Sequence, residues 1–319
     1  MPPHSYSPDN WNRYQHLDVR PANAALGAEV RCGDLRQLSD AVFAEIRQAW
    51  LDHLVLVFHG QTLTGDELLA VGARFGTLDD TTRPQPKDQP NGQLKTNQAL
   101  SIISNVKENG EAIGALGHGD LVWHTDMSYI QTPPDASLLY ALEVPSEGGQ
   151  TGFSNMYLAF DTLPADLKAL AASIKIKHDA THNSGGSLRN GFDYPSDVSV
   201  SSGVPHSAVR THPETGCSAL YLGRRPFSHI AGMSVAASEV LLDRLWAHAS
   251  TPNLNWYQTW SPGDIVIWDN RCAMHRRNAF PNTERRVMHR TQIKGTLPFV
   301  DAAYATAQRH CRAGIAPSA

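Results

Sequence analysis

Two segments far apart in the chain carry residues able to grip a transition metal. The first is Trp123-His124-Thr125-Asp126. Strand side chains alternate faces, so His124 and Asp126 point the same way, about 7 Å apart along an extended chain. One imidazole and one carboxylate make half a metal site, and a lone His-x-Asp also occurs by chance as a surface or capping pair. The second segment is Trp268-Asp269-Asn270-Arg271-Cys272-Ala273-Met274-His275. It follows an apolar strand pattern, which would bring His275 to a loop entering the core. Two imidazoles and one carboxylate are the facial triad of non-haem Fe(II) oxygenases, which covers one face of an octahedron and leaves three positions open. Those positions can take a bidentate 2-oxo acid and dioxygen. Zinc accepts the same three ligands, so ligand type alone does not select iron.

A third segment bears on the choice. Arg285-Arg286-Val287-Met288-His289-Arg290-Thr291-Gln292-Ile293 reads as a strand with Arg286, Met288 and Arg290 on one face and Val287, Thr291 and Ile293 on the other. The plain reading turns the arginine face to solvent and the apolar face to the core. Against it, Arg286 follows His275 closely enough in the chain to share its pocket. Two inward guanidiniums would then need anionic partners, because an unpaired buried charge is strongly destabilising. A dicarboxylate cosubstrate and an acidic substrate would supply them through bidentate pairing.

The elements that must position these residues can be read from periodicity. Val42, Phe43, Ile46 and Trp50 fall on one face of a helix beginning near Ser39, and Leu54-Val55-Leu56-Val57-Phe58 reads as a buried strand. Thr64-Gly65-Asp66-Glu67 fits a capping box opening a second helix, with Leu68, Leu69 and Phe75 as its stripe and Gly76 as its stop. Residues 79–120 are polar and rich in Pro, Asn and Gly, interrupted by Ile102-Ile103. So long an irregular segment in a compact protein serves as a lid or binding loop. Strand patterns return at 121–123 and 138–142, then after the Gly148-Gly149 turn at 151–154. A helix is predicted over 161–174 on a Leu163, Leu167, Leu170 stripe. Residues 179–210, rich in Ser, Gly and His, form a second candidate substrate loop. Residues 219–222, 265–268 and 286–294 read as strands and 234–249 as a helix. Many short strands with helices gathered at one end give a mainly β fold with flanking helices, a sandwich or jelly-roll core. Neither the dinucleotide nor the P-loop glycine pattern occurs.

Composition narrows the classes further. The 319 residues are 41% hydrophobic and 18% charged, enough for a substantial core in one domain spanning 1–319. Lys plus Arg (27) nearly balances Asp plus Glu (31) without a basic run, so neither nucleic acid nor an anionic membrane is an expected partner. No apolar stretch approaches the roughly 20 residues that span a bilayer. The start, Met1-Pro2-Pro3-His4-Ser5-Tyr6, lacks the charged-then-apolar layout of a secretory signal. Cys32, Cys217, Cys272 and Cys311 are scattered, so neither a zinc ribbon nor a disulfide framework is expected. The expectation is a cytoplasmic protein.

Together these segments resemble the taurine dioxygenase and 2,4-dichlorophenoxyacetate dioxygenase group, within the Fe(II)- and 2-oxoglutarate-dependent oxygenases. The resemblance is carried by Trp123-His124-Thr125-Asp126, Gly148-Gly149-Gln150-Thr151, Trp268-Asp269-Asn270-Arg271 with His275, and Arg285-Arg286 to Gly295. It implies a double-stranded β-helix core, with Fe(II), 2-oxoglutarate and O₂ as the reacting set. By resemblance, His124, Asp126 and His275 match the iron ligands. Arg286 matches the arginine that pairs with the distal carboxylate of 2-oxoglutarate, and Thr151 the threonine that hydrogen-bonds it. Arg290 matches an arginine that binds the acidic group of the substrate, and Trp268 a tryptophan of the pocket wall. Members of the group often self-associate, which leaves the oligomeric state open between a monomer and a homo-oligomer.

The chain also departs from the taurine pattern. Phe75-Gly76-Thr77-Leu78-Asp79-Asp80-Thr81 holds no histidine where the taurine enzyme binds sulfonate, and Asp120 stands in place of an amide. An added carboxylate would repel a sulfonate or pair with a substrate ammonium or hydroxyl, so taurine is not the expected substrate. Asn105 and Lys107, before the triad, and Met127, beside Asp126, are candidates for reading the substrate; solvated loop residues are the plainer alternative. His118, His182, His206 and His212 read as loop or supporting residues, and His289 alternates away from Arg286 and Arg290.

The presence of Asp126 bears on reaction type, since related halogenases lack the carboxylate ligand. The resemblance therefore implies hydroxylation of a small organic acid, with 2-oxoglutarate decarboxylated to succinate and CO₂. Hydroxylation next to a heteroatom would give a product that fragments. Two rivals stay open: a zinc metallohydrolase with the same His/Asp/His set, and a non-catalytic jelly-roll protein that binds a small acid.

Overall fold

The computed structural model of the chain describes residues 14–80, 95–97 and 99–301. Two sheets face each other. The larger runs in the spatial order Asp18–Pro21, Ala28–Arg31, Val55–Phe58, Ile265–Asp269, Ala136–Glu143, Val287–Ile293, Leu100–Ser104, Lys95–Asn97, with Ala115–Leu116 added to Leu100–Ser104. The smaller is Asn255–Gln258, Thr151–Asn155, Ala273–Arg277, Leu121–His124. Strands distant in sequence lie side by side and nearly all pair antiparallel, as in a jelly roll. This is the mainly β architecture with flanking helices that the strand pattern predicts.

Period-two alternation divides the larger sheet between two cores. In Ala136–Glu143, Leu138 and Tyr140 pack outward with Ile265, Ile267 and Ile293 against Ile46, Trp50, Leu68 and Leu69 of the helices Asp40–His53 and Gly65–Ala73. Leu139 and Ala141 turn inward with Val266, Trp268 and Met288, where they meet Phe153, Ala273 and Met274 of the smaller sheet. The helices Met156–Asp161, Ala165–Ser173 and Val235–Ala249 close this inner core with Phe160, Leu167, Leu241 and Leu245. The expected capping box is present: Thr64 Oγ1 accepts the Glu67 N–H, and Glu67 Oε2 accepts the Thr64 N–H. Burying apolar area at about 25 cal/mol per Å² on both faces makes the inner surface of the larger sheet a rigid platform.

Three local expectations need correction. The helix expected over 161–174 starts only at Ala165: Asp161 ends the preceding helix Met156–Asp161, and Pro164, which has no N–H to continue a helix, is the N-cap of Ala165–Ser173. The irregular segment expected through 120 contains Leu100–Ser104, which pairs with Val287–Ile293 and buries Leu100 and Ile103. The segment also carries the short strands Lys95–Asn97, Lys107–Glu108, Glu111–Ala112 and Ala115–Leu116, and its residues 81–94 and 98 lie outside the described residues. Cys217 is disulfide-bonded, which the scattered cysteine spacing did not lead one to expect, whereas Cys32 and Cys272 are free. Residues 179–210 are largely irregular, with short strands Pro205–Ser207 and Val209–Thr211 near their end. Among the described residues no helix is long and apolar enough to cross a membrane.

Candidate metal and cosubstrate site

The strands Leu121–His124 and Ala273–Arg277 pair with His124 directly opposite His275, and the two ring centroids lie 4.1 Å apart. Asp126 follows just beyond the end of the first strand. Its Oδ1 lies 3.8 Å from Nε2 of His124 and 3.8 Å from Nε2 of His275. One ligand atom from each residue falls within 4.8 Å of the others, and all three residues are buried. His124 donates its Nδ1 proton to the Val122 carbonyl at 2.7 Å, which leaves the Nε2 lone pair facing Asp126.

The carboxylate is oriented by neighbours that the sequence reading missed. Asp126 Oδ2 accepts from the Ser137 hydroxyl at 2.7 Å and from Gln292 Nε2 at 3.1 Å, while Gln292 Nε2 also lies 3.0 Å from Ser137 Oγ. Asn270 accepts the Asp126 N–H at 2.8 Å and donates back to the Asp126 carbonyl at 3.0 Å and to the Pro134 carbonyl at 2.8 Å. This backbone clamp ties the first ligand segment to the second. Ser137 and Gln292 stand at inward positions of their strands, as do Leu139 and Arg290; a polar residue repeated on an inward face was the available signal.

Protonation states suit a metal. Burial, and then the His124 charge, push the His275 imidazole down to about 3. Burial lowers His124 as well. For Asp126, burial opposes ionisation, but the Arg290 guanidinium and the imidazoles outweigh it and hold the carboxyl below its usual range. Neutral imidazoles and an ionised carboxylate are the forms that ligate. Trp268 packs on this centre, its ring 4.7 Å from His275 and 5.6 Å from Phe153.

The other end of the inner space is cationic. Thr151 is opposite Arg277 in the smaller sheet, and Trp260 Nε1 donates to Thr151 Oγ1 at 3.0 Å. With Oγ1 already accepting, the Thr151 hydroxyl proton is free to donate. Arg286 is 1% exposed, and its Nε is buried without a partner. Burial, then the charge of Arg277, push its guanidinium down to about 9. Beside it, Gly149 holds φ at 68°, and a Cβ there would lie 3.6 Å from Arg286 Nε and 3.0 Å from Pro145 Cγ. Glycine thus permits both the turn and the close approach.

The residues expected to read the substrate fall elsewhere. Asp120 does not enter the pocket: its side chain is 61% exposed, and Oδ1 accepts the Ala279 N–H at 2.7 Å and pairs with Arg276 at 3.4 Å. Asn105 spends its amide on the backbone, accepting the Arg286 N–H at 3.0 Å and donating to the Glu284 carbonyl at 2.8 Å. It braces the segment that carries Arg286. Lys107 is exposed. Met127 is buried in a tight turn with φ 52° directly after the carboxylate ligand. Arg290 is inward as expected, with Nη1 at 3.5 Å from Asp126 Oδ1. His289 turns to the opposite face, with Nδ1 at 4.0 Å from where a Cβ on Gly65 would stand.

A second buried trio, His212, Asp269 and Cys272, has ligand-like spacing. His212 Nδ1 accepts the Glu214 and Thr215 N–H groups at 3.2 Å each, so Nε2 carries the proton and donates to Asp269 Oδ2 at 3.0 Å. Asp269 is further saturated by the Arg271 guanidinium at 2.8 and 2.7 Å. Both imidazole nitrogens are occupied, so this is a supporting ion network, not a metal centre.

Comparison with known proteins identifies the family. The family model described as "Taurine catabolism dioxygenase TauD, TfdA family" matches residues 18–292. An (S)-phenoxypropionate/alpha-ketoglutarate-dioxygenase of Sphingobium herbicidovorans is 33% identical over 299 residues, covering 92% of this chain and 99% of the relative. A taurine dioxygenase crystal structure from Burkholderia xenovorans superposes with TM-score 0.70 at 30% identity, covering 89% of this chain and 91% of that one. The crystal structure of AAD-2 in complex with Mn(II) and N-oxalylglycine also gives TM-score 0.70 at 30% identity, covering 89% and 99%. The chain belongs to the TauD/TfdA family of enzymes, the alpha-ketoglutarate (2-oxoglutarate)-dependent dioxygenases.

Proposed function

We propose that the enzyme uses Fe(II) and O₂ to hydroxylate a small organic acid: 2-oxoglutarate, O₂ and R–H give succinate, CO₂ and R–OH. The observation that carries this reading is the pairing of a buried His/Asp/His cluster with Arg286, a fully buried guanidinium whose Nε has no partner. A hydrolytic zinc site would have no use for that cation, and the relative named for phenoxypropionate supports an acidic substrate.

His124, Asp126 and His275 would hold the ion, which when bound supplies the redox chemistry linking decarboxylation to C–H hydroxylation. The protein does the rest. Ser137 and Gln292 hold Asp126 Oδ2, so that Oδ1 faces both imidazoles. Arg286 and the Thr151 hydroxyl would anchor the distal carboxylate of 2-oxoglutarate, and Trp268 and Phe153 keep that wall dry. Arg290, on the inward face two residues from Gln292, would turn from Asp126 to the acidic group of the prime substrate. Of the two expected substrate loops, 179–210 would cover the opening. Where hydroxylation falls beside a heteroatom, the product fragments.

One assay tests the reading: succinate release from 2-oxoglutarate with Fe(II), O₂ and ascorbate, stimulated by small carboxylates or related anions. Stimulated release is expected. Hydrolysis in the absence of O₂, or acid binding without turnover, would replace it with one of the rivals.

A further inference from the structure

Arg277 has no role in the site as described so far, yet its surroundings resemble those of Arg286. It stands two residues beyond His275 on the same strand, so both side chains leave the same face, about 7 Å apart. Thr151 lies directly across from it. Its residue exposure is 3%. Nη2 donates to the carbonyl of Leu116 at 2.8 Å and to that of Gly119. Nε and Nη1 are buried with no partner. The Phe280 ring, 5.4 Å from Cζ, offers those in-plane N–H groups no acceptor. Asp120 makes no hydrogen bond to them: it is largely exposed, its Oδ1 is engaged by Ala279 N–H and Arg276, and it acts on Arg277 only through its charge. Arg277 is also the charged neighbour that acts on Arg286. Gly149, whose N–H donates to the Ala279 carbonyl at 3.2 Å, keeps the Arg286 side free of side-chain bulk. Two buried cations with unpaired N–H groups require an anion between them.

We propose that Arg277 is a second guanidinium for the distal carboxylate of the 2-oxo acid and sets the preference for a dicarboxylic cosubstrate over a monocarboxylic one. The inference rests on the proposed use of 2-oxoglutarate at this site. Through Nη2, the same side chain holds the 116–119 segment that leads into the His124 strand, so cosubstrate binding and the order of that wall are linked.

The test is anaerobic calorimetry on the full chain loaded with Mn(II), titrating 2-oxoglutarate and 2-oxobutyrate in turn. Arg277→Met should weaken 2-oxoglutarate on the order of 10- to 100-fold, the worth of a charge-assisted pair. Affinity for 2-oxobutyrate and for Mn(II) should stay within about twofold, because neither meets the distal cations. Arg277→Lys, which keeps the charge and loses the fork, should lie between. Unchanged 2-oxoglutarate affinity in Arg277→Met, beside a clear loss in Arg286→Met, would overturn the inference and make Arg277 a strut. So would equal weakening of both acids. If Arg277→Met fails to fold by circular dichroism, Arg277→Lys decides: reduced selectivity supports the assignment, and wild-type selectivity overturns it. A wild-type protein that binds both acids alike, with Arg286→Met silent, would instead sink the underlying cosubstrate reading.

Discussion

The hydroxyl of Ser137 donates to Oδ2 of Asp126 at 2.7 Å, and this bond decides which carboxylate oxygen faces the two imidazoles. Ser137 sits in the strand Ala136–Glu143 of the larger sheet, whereas Asp126 follows a strand of the smaller one. The contact therefore fixes the ligand relative to the opposite wall of the core. Ser137→Ala leaves Gln292 alone on Oδ2 and lets the carboxylate rotate. Metal affinity should fall by about 10- to 100-fold, the usual worth of a bond that orients a ligand. Direct Mn(II) titration of the apoprotein reads this, and an affinity within twofold of wild type would show that Ser137 does not set the orientation.

Arg286→Met should separate stability from cosubstrate binding. In the metal-free, ligand-free protein the guanidinium is buried without an anionic partner, so replacing it with an apolar chain should leave the melting temperature unchanged or raise it. In the loaded enzyme the same change should raise the 2-oxoglutarate requirement at least about tenfold, since one partner of a buried charge pair is lost. Mn(II) affinity should be unaffected. Parallel loss of metal binding would remove Arg286 from the role of carboxylate anchor.

How much of this was legible in the chain follows from the range of the interactions. His124 and Asp126 form a two-residue strand pattern, and Arg286 and Arg290 share a face by alternation, so short-range spacing found them. That His275 meets His124 rests on antiparallel pairing between segments far apart in sequence, so residue types could only suggest the set and the family resemblance supplied the pairing. Ser137 and Gln292 were passed over because a polar residue inside a strand acquires meaning only when the facing sheet is known. Asp120 was misplaced for the opposite reason: nearness to Trp123 in sequence says nothing of exposure, and the side chain turns out to cap Ala279. The strand Leu100–Ser104 was hidden by its Pro-, Asn- and Gly-rich flank, although it pairs within the larger sheet and buries Leu100 on the outer face and Ile103 on the inner one.

Stability should decline on mild acidification through buried histidines away from the metal centre. His178 lies among His206 and Tyr221, each ring centroid 5.5 Å away, and neither of its nitrogens has a partner. Burial, then the charge of His206, push its pKa well below 6.5, and burial lowers His206 too. The unfolded chain takes up a proton on each imidazole below about pH 6.5, while the folded chain does not. The unfolded state then binds more protons, so stability falls with decreasing pH, by up to about 1.4 kcal/mol per pH unit for one fully excluded proton, which His178 approaches more closely than His206. Above pH 6.5 the contribution is fully present. Urea midpoints between pH 7.5 and 5 measure the slope. His178→Phe should flatten it, and a slope equal to wild type would mean that folded His178 is already protonated.

Arg290 gives the sharpest contrast with Ser137, because both touch Asp126 and should act in opposite directions. Its Nη1 lies 3.5 Å from Asp126 Oδ1, the oxygen that faces the imidazoles, and its side chain is 21% exposed. A long, partly solvated pair of this kind is worth up to about 1 kcal/mol. A cation entering the His124, Asp126 and His275 cluster must displace that guanidinium or accept its repulsion. Arg290→Met should therefore leave Mn(II) affinity unchanged or tighten it by up to about fivefold, the reverse of Ser137→Ala. If Arg290 also receives the acidic group of the prime substrate, the variant should consume 2-oxoglutarate while yielding less hydroxylated product, with a raised KM for that substrate and little change in the KM for 2-oxoglutarate. Measuring succinate and product together in one reaction reads the coupling. Wild-type coupling for every acidic substrate would confine Arg290 to its contact with Asp126, and weakened Mn(II) binding would show that it supports the carboxylate rather than competing for it.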